Sequence, residues 1–217
     1  MLNNLDNFDG KQQEERIERI SEVLDKMSET TSPLTDNDLE DYCRYFNLKP
    51  EELMGNKILD LGSGKLERFS KEASVYNAEV VSLNPALQQE NVRDWAKEEI
   101  IKDGALLEWQ KKSVAGRSQE LPFKDKSFDK IVSLFSSPYY IDSKNGKLNA
   151  VKEMARVIKD NGIIYIGPKT IENEQNIEES ILNEEASSWL VDSGYVIEEI
   201  EDGGIVIKKN GKTTTTK

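Results

Sequence analysis

The stretch that decides the fold reads Asn56-Lys-Ile-Leu-Asp-Leu-Gly-Ser-Gly-Lys65. Its three apolar residues are too few for a helix, whereas a parallel strand that is covered on both faces is apolar nearly throughout. We therefore expect a buried strand here. Gly62 and Gly64 follow it, and they let the backbone turn sharply and approach a ligand closely.

The segment after the glycines, residues 65–73, has helical composition. The predicted unit is a strand, a glycine turn and a helix, which points backbone N–H groups and a helix N-terminus at a polar ligand above the strand. Two familiar glycine motifs are excluded, because Leu66 stands where a P-loop needs Ser or Thr, and Glu67 stands where the dinucleotide fingerprint needs glycine. The pattern is instead Asp-x-Gly-x-Gly, beginning at Asp60.

Length and composition exclude several partners. The chain has 217 residues, 36% of them hydrophobic, and a formal net charge of −12. We expect one domain with an accessory segment. No apolar run suggests a signal peptide or a membrane span, so we expect a cytoplasmic protein without a membrane partner. The negative charge argues against nucleic acid as a partner, because that binding depends on Lys and Arg.

The missing residue types restrict the chemistry further. With no histidine, Ser-His-Asp and Cys-His catalysis, imidazole bases and His-ligated zinc are excluded. With Cys43 as the single cysteine, there is no disulfide framework and no thiolate metal cluster, so we expect no metal site. This composition favours chemistry in which a bound cofactor carries the reactive group and the protein mainly supplies alignment.

Residues 1–55 are predicted to form a helical prefix. An amphipathic helix from Lys11 to about Glu29 either packs on the main domain or serves as a lid or dimer surface. A second helix is expected to begin with Thr35, followed by Asp38, as its N-cap. The inner face of this second helix is predicted to consist of Leu39, Cys43 and Phe46.

Two strand ends supply candidate site residues. The second strand ends at Asn84, where nucleotide-binding sheets normally carry a carboxylate for the ribose hydroxyls; an amide can accept from one hydroxyl and donate to another. A later strand, Lys130–Phe135, ends in Ser136-Ser-Pro-Tyr-Tyr140. Because ligands lie beyond the carboxyl ends of parallel strands, we expect Ser136 to line the cofactor site. Tyr139 and Tyr140 either line the acceptor pocket or simply pack with hydrated hydroxyls.

The remaining segments are assigned from their periodicity and turn residues. One or two helices are expected between Asn91 and about Gln110. A helix from Lys147 to Lys159 is predicted to close with a left-handed cap at Asn161-Gly162. The polar segment 167–183 is long enough to fold over the site, and a terminal hairpin is expected between Tyr195 and Ile207.

The succession of motifs resembles the class I S-adenosylmethionine-dependent methyltransferases related to ubiquinone and small-molecule methylating enzymes. Asp60–Gly64 is similar to the first motif of that family, Leu121–Asp129 to its link between the third and fourth strands, and Glu153–Gly162 to a structural segment. The resemblance runs from about Lys57 to Lys208. It implies an α/β fold with a doubly wound, mostly parallel, seven-stranded Rossmann-like sheet whose last strand is antiparallel. The predicted domain covers residues 56–210, before a tail at 211–217.

The resemblance also implies S-adenosyl-L-methionine as cofactor. The residues expected to hold it are Asp60, Gly62, Ser63 and Gly64 at the methionine portion, Asn84 at the ribose, and Ser118 and Gln119 at the adenine edge. Three positions depart from the family pattern: Leu66 replaces a small residue, and Asn84 and Arg117 replace acidic ones. No general base is identified, although Tyr139 is a candidate.

Two functions remain open at this level. The first is methyl transfer from S-adenosylmethionine to a small-molecule acceptor. The alternative is a degenerate, non-catalytic member that keeps the fold as a binding or regulatory protein. The intact turn from Asp60 to Gly64 favours the first, and the three departures favour the second. The sequence defines neither the acceptor nor the oligomeric state.

Overall fold

The structure is a computed structural model that describes residues 37–64, 67–85, 112–141, 143–172, 178–201 and 203–210. The helix predicted over Lys11–Glu29, the helices predicted between Asn91 and Gln110, and the tail lie outside the described residues. The domain boundaries proposed from the sequence therefore remain predictions. Within the described residues, no helix is both long and apolar enough to cross a membrane.

A seven-stranded sheet forms the centre of the molecule. Its strands are β1 Lys57–Leu61, β2 Glu79–Leu83, β3 Ser113–Val114, β4 Phe128–Leu134, β5 Ile158–Gly167, β8 Tyr195–Glu199 and β9 Ile205–Lys209. They lie in the order β3-β2-β1-β4-β5-β9-β8. The first five strands in this order pair in parallel, whereas β9 pairs antiparallel with both β5 and β8. The predicted doubly wound, mostly parallel sheet whose last strand is antiparallel is confirmed.

The helices and a separate hairpin complete the described fold. The hairpin pairs β6 Thr170–Glu172 with β7 Glu178–Ser180, within the segment that was predicted to fold over the site. The helical elements are α1 Leu39–Phe46, a 3-10 turn at Pro50–Leu53, α2 Arg68–Ser74, α3 Lys144–Val157 and α4 Glu184–Asp192.

Helix α1 differs from the sequence expectation in its buried face. Asp38 is its N-cap and accepts a hydrogen bond from the backbone N–H of Asp41. The buried residues are Leu39, Tyr42 and Phe46, whereas Cys43 is only half-buried. Cys43 packs against this core as a partly buried residue, and the sequence prediction omitted Tyr42, whose hydroxyl has a buried partner.

The expected left-handed cap at Asn161-Gly162 was also wrong. Helix α3 ends at Val157, and β5 begins at Ile158 and continues through Gly162. The backbone N–H of Ser127 donates to the Val157 carbonyl, which draws the chain into the sheet as soon as the helix ends. Gly162 instead permits a close approach, since a Cβ there would lie 2.8 Å from the Asp129 carbonyl oxygen.

The hydrophobic core covers both faces of the sheet. Alternate residues of a strand point to opposite faces, so Ile131 joins one core cluster while Val132 and Leu134 join the other. The first cluster lies under α3 and α4. The second contains α1 and the 3-10 turn, whose Tyr42 and Leu53 are buried in it. The described part of the prefix is therefore part of the core.

Candidate cofactor and acceptor site

The turn after β1 depends on two glycines. Gly62 has φ +80° and Gly64 has φ +73°, in the left-handed region that favours glycine. The Gly62 N–H donates to the Leu83 carbonyl at 2.9 Å. A Cβ added to Gly62 would lie 1.8 Å from Ser136 Oγ. The ends of β1 and β4 therefore come together only because residue 62 has no side chain.

A cavity of about 440 Å³ opens beside this turn. It lies beyond the carboxyl ends of β1, β2 and β4 and beside the loop that follows β3. This is where parallel α/β sheets hold ligands, and the volume suits a small molecule. Its lining residues are Leu61, Gly62, Gly64, Leu83, Asn84, Pro85, Gly116, Arg117, Ser118, Gln119, Ser136, Ser137, Tyr140 and Ile141.

Most of the predicted site residues meet at this cavity. Three of them, Asp60, Ser63 and Tyr139, do not line it. Ligand contacts by any of these residues remain predictions. The predicted residues that line the cavity are Gly62, Gly64, Asn84, Ser118, Gln119, Ser136 and Tyr140.

Asp60 is fully buried behind the glycine turn. Its Oδ1 accepts a hydrogen bond from the Tyr42 hydroxyl at 2.8 Å. The Tyr42 ring stacks on Phe69 of α2, with 4.1 Å between ring centroids. Asp60 therefore contacts the prefix helix and is not among the described residues that line the cavity.

Asn84 joins the end of β2 to the glycine turn. Its Nδ2 donates to the Gly64 carbonyl at 2.8 Å, and its backbone N–H donates to the Val114 carbonyl at 3.0 Å. The side chain is 8% exposed. This amide therefore both lines the cavity and fixes the geometry of the turn.

A chain of serine hydroxyls joins the loops that follow β3 and β4. Ser137 Oγ donates to Ser118 Oγ at 2.5 Å, and Ser133 Oγ donates to the Ser137 carbonyl. Ser118 and Ser137 both line the cavity. These hydrogen bonds hold two of its walls at a fixed separation.

The two tyrosines have different positions. Their rings meet edge to face, with centroids 5.0 Å apart. Tyr140 is 70% exposed and lines the cavity, whereas Tyr139 packs against the core. The Lys147 ammonium lies 5.9 Å from the centre of the Tyr139 ring. Tyr140 therefore lies at the cavity, and Tyr139 packs between it and the core.

Cys43 lies outside this cavity and has no environment that would activate it. Burial, followed by the charge of Glu51, raises the pKa of Cys43 to about 11. A thiol with such a pKa is protonated at neutral pH and is a weak nucleophile. Within the part of the chain that the structure describes, no group of three His, Cys, Asp or Glu residues could hold a metal ion.

A family model described as a methyltransferase domain matches residues 59–166. This range contains the glycine turn and the ends of β2 and β4. The chain belongs to the class I S-adenosylmethionine-dependent methyltransferases. Members of this family are enzymes, which agrees with the expectation from the sequence.

Solved structures show the same fold as this methyltransferase. A protein of Methanococcus maripaludis, assigned to the S-adenosyl-L-methionine-dependent methyltransferases, matches with a TM-score of 0.51 and 20% identity over 99% of each chain. DesVI of Streptomyces venezuelae matches with a TM-score of 0.50 and 11% identity, over 79% of this chain and 88% of DesVI. At these identities the likeness concerns the fold alone.

A curated relative is an uncharacterized protein of Methanocaldococcus jannaschii. It is 28% identical to the methyltransferase over 170 residues, which make up 76% of this chain and 56% of the relative. The chain thus spans little more than half the length of the relative that it matches.

Apart from Arg117, which the sequence marked only as a departure from the family pattern, six residues that line the cavity were not predicted as site residues. The rule that ligands lie beyond strand ends could have found four of them, because they directly adjoin predicted residues: Leu61, Leu83, Pro85 and Ser137. Gly116 had a weaker signal in the sequence. In the structure its lack of a side chain matters, because a Cβ there would lie 2.9 Å from Leu83 Cδ1. Ile141 had none, because its place depends on the loop between β4 and α3.

Proposed function

We propose that this methyltransferase binds S-adenosylmethionine in the cavity beside the glycine turn and transfers the methyl group to a small-molecule acceptor. One observation carries the proposal: the Asp-x-Gly-x-Gly turn forms a wall of a cavity of about 440 Å³ at the carboxyl edge of the sheet. The close approach of Gly62 and Ser136 builds that wall.

The residues at the cavity offer contacts for each portion of the cofactor. The backbone at Gly62 and Gly64 would face the methionine portion, as the family resemblance implies. Asn84 would meet the ribose, and Ser118 and Gln119 the adenine edge. Hydroxyl and amide side chains suit these neutral polar groups, because each can donate and accept hydrogen bonds.

When bound, the sulfonium cofactor supplies an activated methyl group. The chain then has to hold the acceptor in line with that methyl, and alignment can account for much of the acceleration. Tyr140 and the Ser136–Ser137 loop would do this, and their position supports the proposal, because they line the cavity beyond β4. Their role is positional and involves no covalent step on the protein.

Titration with S-adenosylmethionine tests the proposal. A ligand that binds only the native state must raise the melting temperature; at a concentration of about 100 times Kd the stabilisation is about 2.7 kcal/mol. We expect a saturable shift and a matching calorimetric Kd. The absence of a shift at millimolar ligand would contradict cofactor binding.

Two glycine variants make the test specific to the turn. Gly62→Val should abolish binding, because the new side chain would collide with Ser136. Gly55→Val is the matched control: Gly55 has φ +69°, and a Cβ there meets nothing within 4 Å. It carries similar backbone strain away from the cavity and should still bind. Circular dichroism establishes that both variants are folded.

A non-catalytic binding role is the second candidate. It is favoured by the hydrogen bond that the Asn84 side chain donates to the Gly64 carbonyl. This hydrogen bond engages the amide with the glycine turn, at a position where a carboxylate would otherwise hold the ribose. The same titration separates the two candidates. Binding of S-adenosylmethionine that depends on Gly62 supports the enzyme, and no binding supports the alternative.

A further inference from the structure

Phe135 lies at the carboxyl end of β4 in a strained backbone conformation. It directly follows Leu134, the last residue of the strand, and its φ is +49°. A bulky side chain rarely adopts this left-handed region. The Phe135 N–H donates to the carbonyl of Gly167, the last residue of β5, at 2.7 Å, which holds the conformation in place. Strained positions of this kind concentrate at binding sites.

The Phe135 ring is exposed on the loop that also carries Tyr140. Among the described residues, four large hydrophobic side chains are exposed. Two of them, Phe135 at 38% and Tyr140 at 70%, lie on the loop between β4 and α3. The other two, Met54 and Val191, lie before β1 and on α4. Exposed apolar side chains that gather beside a ligand cavity are typical of a binding surface.

Helix α1 supplies a second aromatic side chain at this surface. The half-buried Tyr45 ring meets the Phe135 ring edge to face, with 5.2 Å between centroids. One turn earlier on the same helix, the Tyr42 hydroxyl donates to the buried Asp60 carboxylate at 2.8 Å. Tyr45 therefore faces Phe135 from a helix that is held against the core.

The position of Phe135 relates it to the acceptor and not to the cofactor. Phe135 does not line the cofactor cavity, whereas the next residue, Ser136, does. Ser136 lies against Gly62, where the proposed function places the methionine portion, which includes the sulfonium and its methyl group. We propose that Phe135 binds an apolar portion of the acceptor, so that the acceptor is a molecule with an apolar body; this inference rests on the proposed function.

The chemistry of the two rings selects such a molecule. Phe135 and Tyr45 present apolar ring surface, and an apolar group that covers it removes both surfaces from water. A polyhydroxylated body would lose hydrogen bonds to water there, and the Phe135 ring offers it none in return. Phe135 takes no part in making or breaking bonds; it holds the acceptor beside the methyl group, where alignment determines the rate.

Two probes with carbon rings of the same size test this inference. The protein is saturated with S-adenosylhomocysteine and titrated with cyclohexanol or with myo-inositol, which carries a hydroxyl on every ring carbon. Binding is followed by ligand-observed NMR. We expect cyclohexanol to bind at least about tenfold more tightly than myo-inositol, since the burial of about two methylene groups supplies that difference.

Three variants assign the preference to Phe135. Phe135→Asn removes the ring, and asparagine tolerates a positive φ; it should abolish the preference for cyclohexanol while S-adenosylhomocysteine still binds. Phe135→Tyr keeps the ring and should keep the preference. Met54→Asn is the control, because Met54 is 53% exposed and precedes the amino end of β1, away from the cavity. It should leave the preference unchanged.

A melting curve distinguishes ligand binding from a structural role. If Phe135 only stabilised the fold, Phe135→Asn would lower the melting temperature and leave the ratio of the two affinities as it was. That result overturns the inference. A change of oligomeric state in Phe135→Asn, measured by light scattering, would assign the ring to a contact between copies of the chain and would overturn it as well.

The remaining outcomes separate this inference from the proposed function. If S-adenosylhomocysteine and S-adenosylmethionine both fail to bind, the proposed function and the inference are overturned together. If they bind, but cyclohexanol does not bind at about 50 mM or binds no better than myo-inositol, only the apolar acceptor is overturned.

Discussion

The Tyr42 hydroxyl donates to Asp60 Oδ1 at 2.8 Å, and this hydrogen bond joins the prefix helix to the residue that begins the glycine turn. Both side chains are buried. Tyr42→Phe removes the hydrogen bond and keeps the stacking on Phe69. We expect a loss of about 1–3 kcal/mol in the free energy of unfolding, because the acceptor is a carboxylate. Urea denaturation measures it, and titration with S-adenosylmethionine should show weaker binding.

Tyr45→Phe is the control for Tyr42→Phe. Tyr45 lies on the same helix, is half-buried and contacts the Phe135 ring edge to face at 5.2 Å. No hydrogen bond of its hydroxyl is found among the described residues. Its removal should change the free energy of unfolding by less than about 0.5 kcal/mol. Equal losses of unfolding free energy in the two variants would show that the hydrogen bond to Asp60 does not stabilise the fold.

Gly62→Ala tests the close approach of β1 and β4. The added Cβ would overlap Ser136 Oγ, at 1.8 Å, and Ser136 Cβ, at 2.6 Å, and alanine is strained at φ +80°. We expect a loss of more than about 2 kcal/mol in the free energy of unfolding. Cofactor affinity should fall as well, because Ser136 must move into the cavity. Denaturation and calorimetry measure the two effects.

Gly55→Ala provides the matched comparison. Its φ is +69°, and nothing lies within 4 Å of the added Cβ. This variant should lose only about 1–2 kcal/mol from the backbone conformation, with unchanged cofactor affinity. If both alanine variants lost the same stability and both bound normally, the contact between Gly62 and Ser136 would not be essential.

The sheet was predictable because its signals are local. Strand β1 is apolar where both faces are covered, and the glycines after it mark the turn that the φ values show. The segments from Leu121 to Asp129 and from Glu153 to Gly162 follow this turn in the same order as the motifs that they resemble in the family. Together these motifs indicate the class of sheet before any long-range contact is known.

The errors came from contacts that join distant parts of the chain. The sequence prediction omitted Tyr42, which is buried and donates its hydroxyl to Asp60, 18 residues away; helical periodicity does not reveal such a partner. Gly162 was predicted as a helix cap because a glycine after a helix usually is one. Its real constraint is the Asp129 carbonyl on the neighbouring strand, which helical periodicity cannot reveal.

The candidate site was predictable at strand ends and less so between them. Asn84 and Ser136 follow strands and line the cavity. No sequence pattern indicates that Asp60 lies behind the turn, since the side to which a strand residue points depends on the register of the sheet. The hydrogen bond between Ser118 and Ser137 joins two loops, and no local pattern predicts such a pair.

Asn84→Asp tests whether an acid can be restored at the end of β2. Asn84 Nδ2 donates to the Gly64 carbonyl at 2.8 Å, and a carboxylate oxygen there would face that carbonyl without a proton. We expect the free energy of unfolding to fall by about 1–3 kcal/mol at neutral pH. Asn84→Ala should lose the hydrogen bond without the repulsion and be less destabilised. Denaturation of both variants ranks them, and an Asp variant as stable as the original protein would contradict this role.

Glu153 gives the fold a defined pH dependence. Its Oε2 accepts from the Leu121 N–H at 2.8 Å, and Arg156 donates to both carboxylate oxygens and to the carbonyls of Leu121 and Phe123. The hydrogen bond from Arg156 lowers the pKa of Glu153 below its ordinary value. A lowered pKa means that the ionised carboxylate stabilises the folded state.

The sign of the effect follows from that shift. The contribution of Glu153 is fully present above the pKa that it has in the unfolded chain, and it is lost as the pH falls through the lower pKa of the folded state. Glu153→Gln should therefore be less stable by about 1–2 kcal/mol at pH 7, and the gap should close on acidification. Urea denaturation between neutral and acidic pH measures it, with Glu201→Gln, at an exposed carboxylate away from Arg156, as control. Parallel curves for the original protein and Glu153→Gln would show that Arg156 holds the Leu121–Phe123 segment without the charge of Glu153.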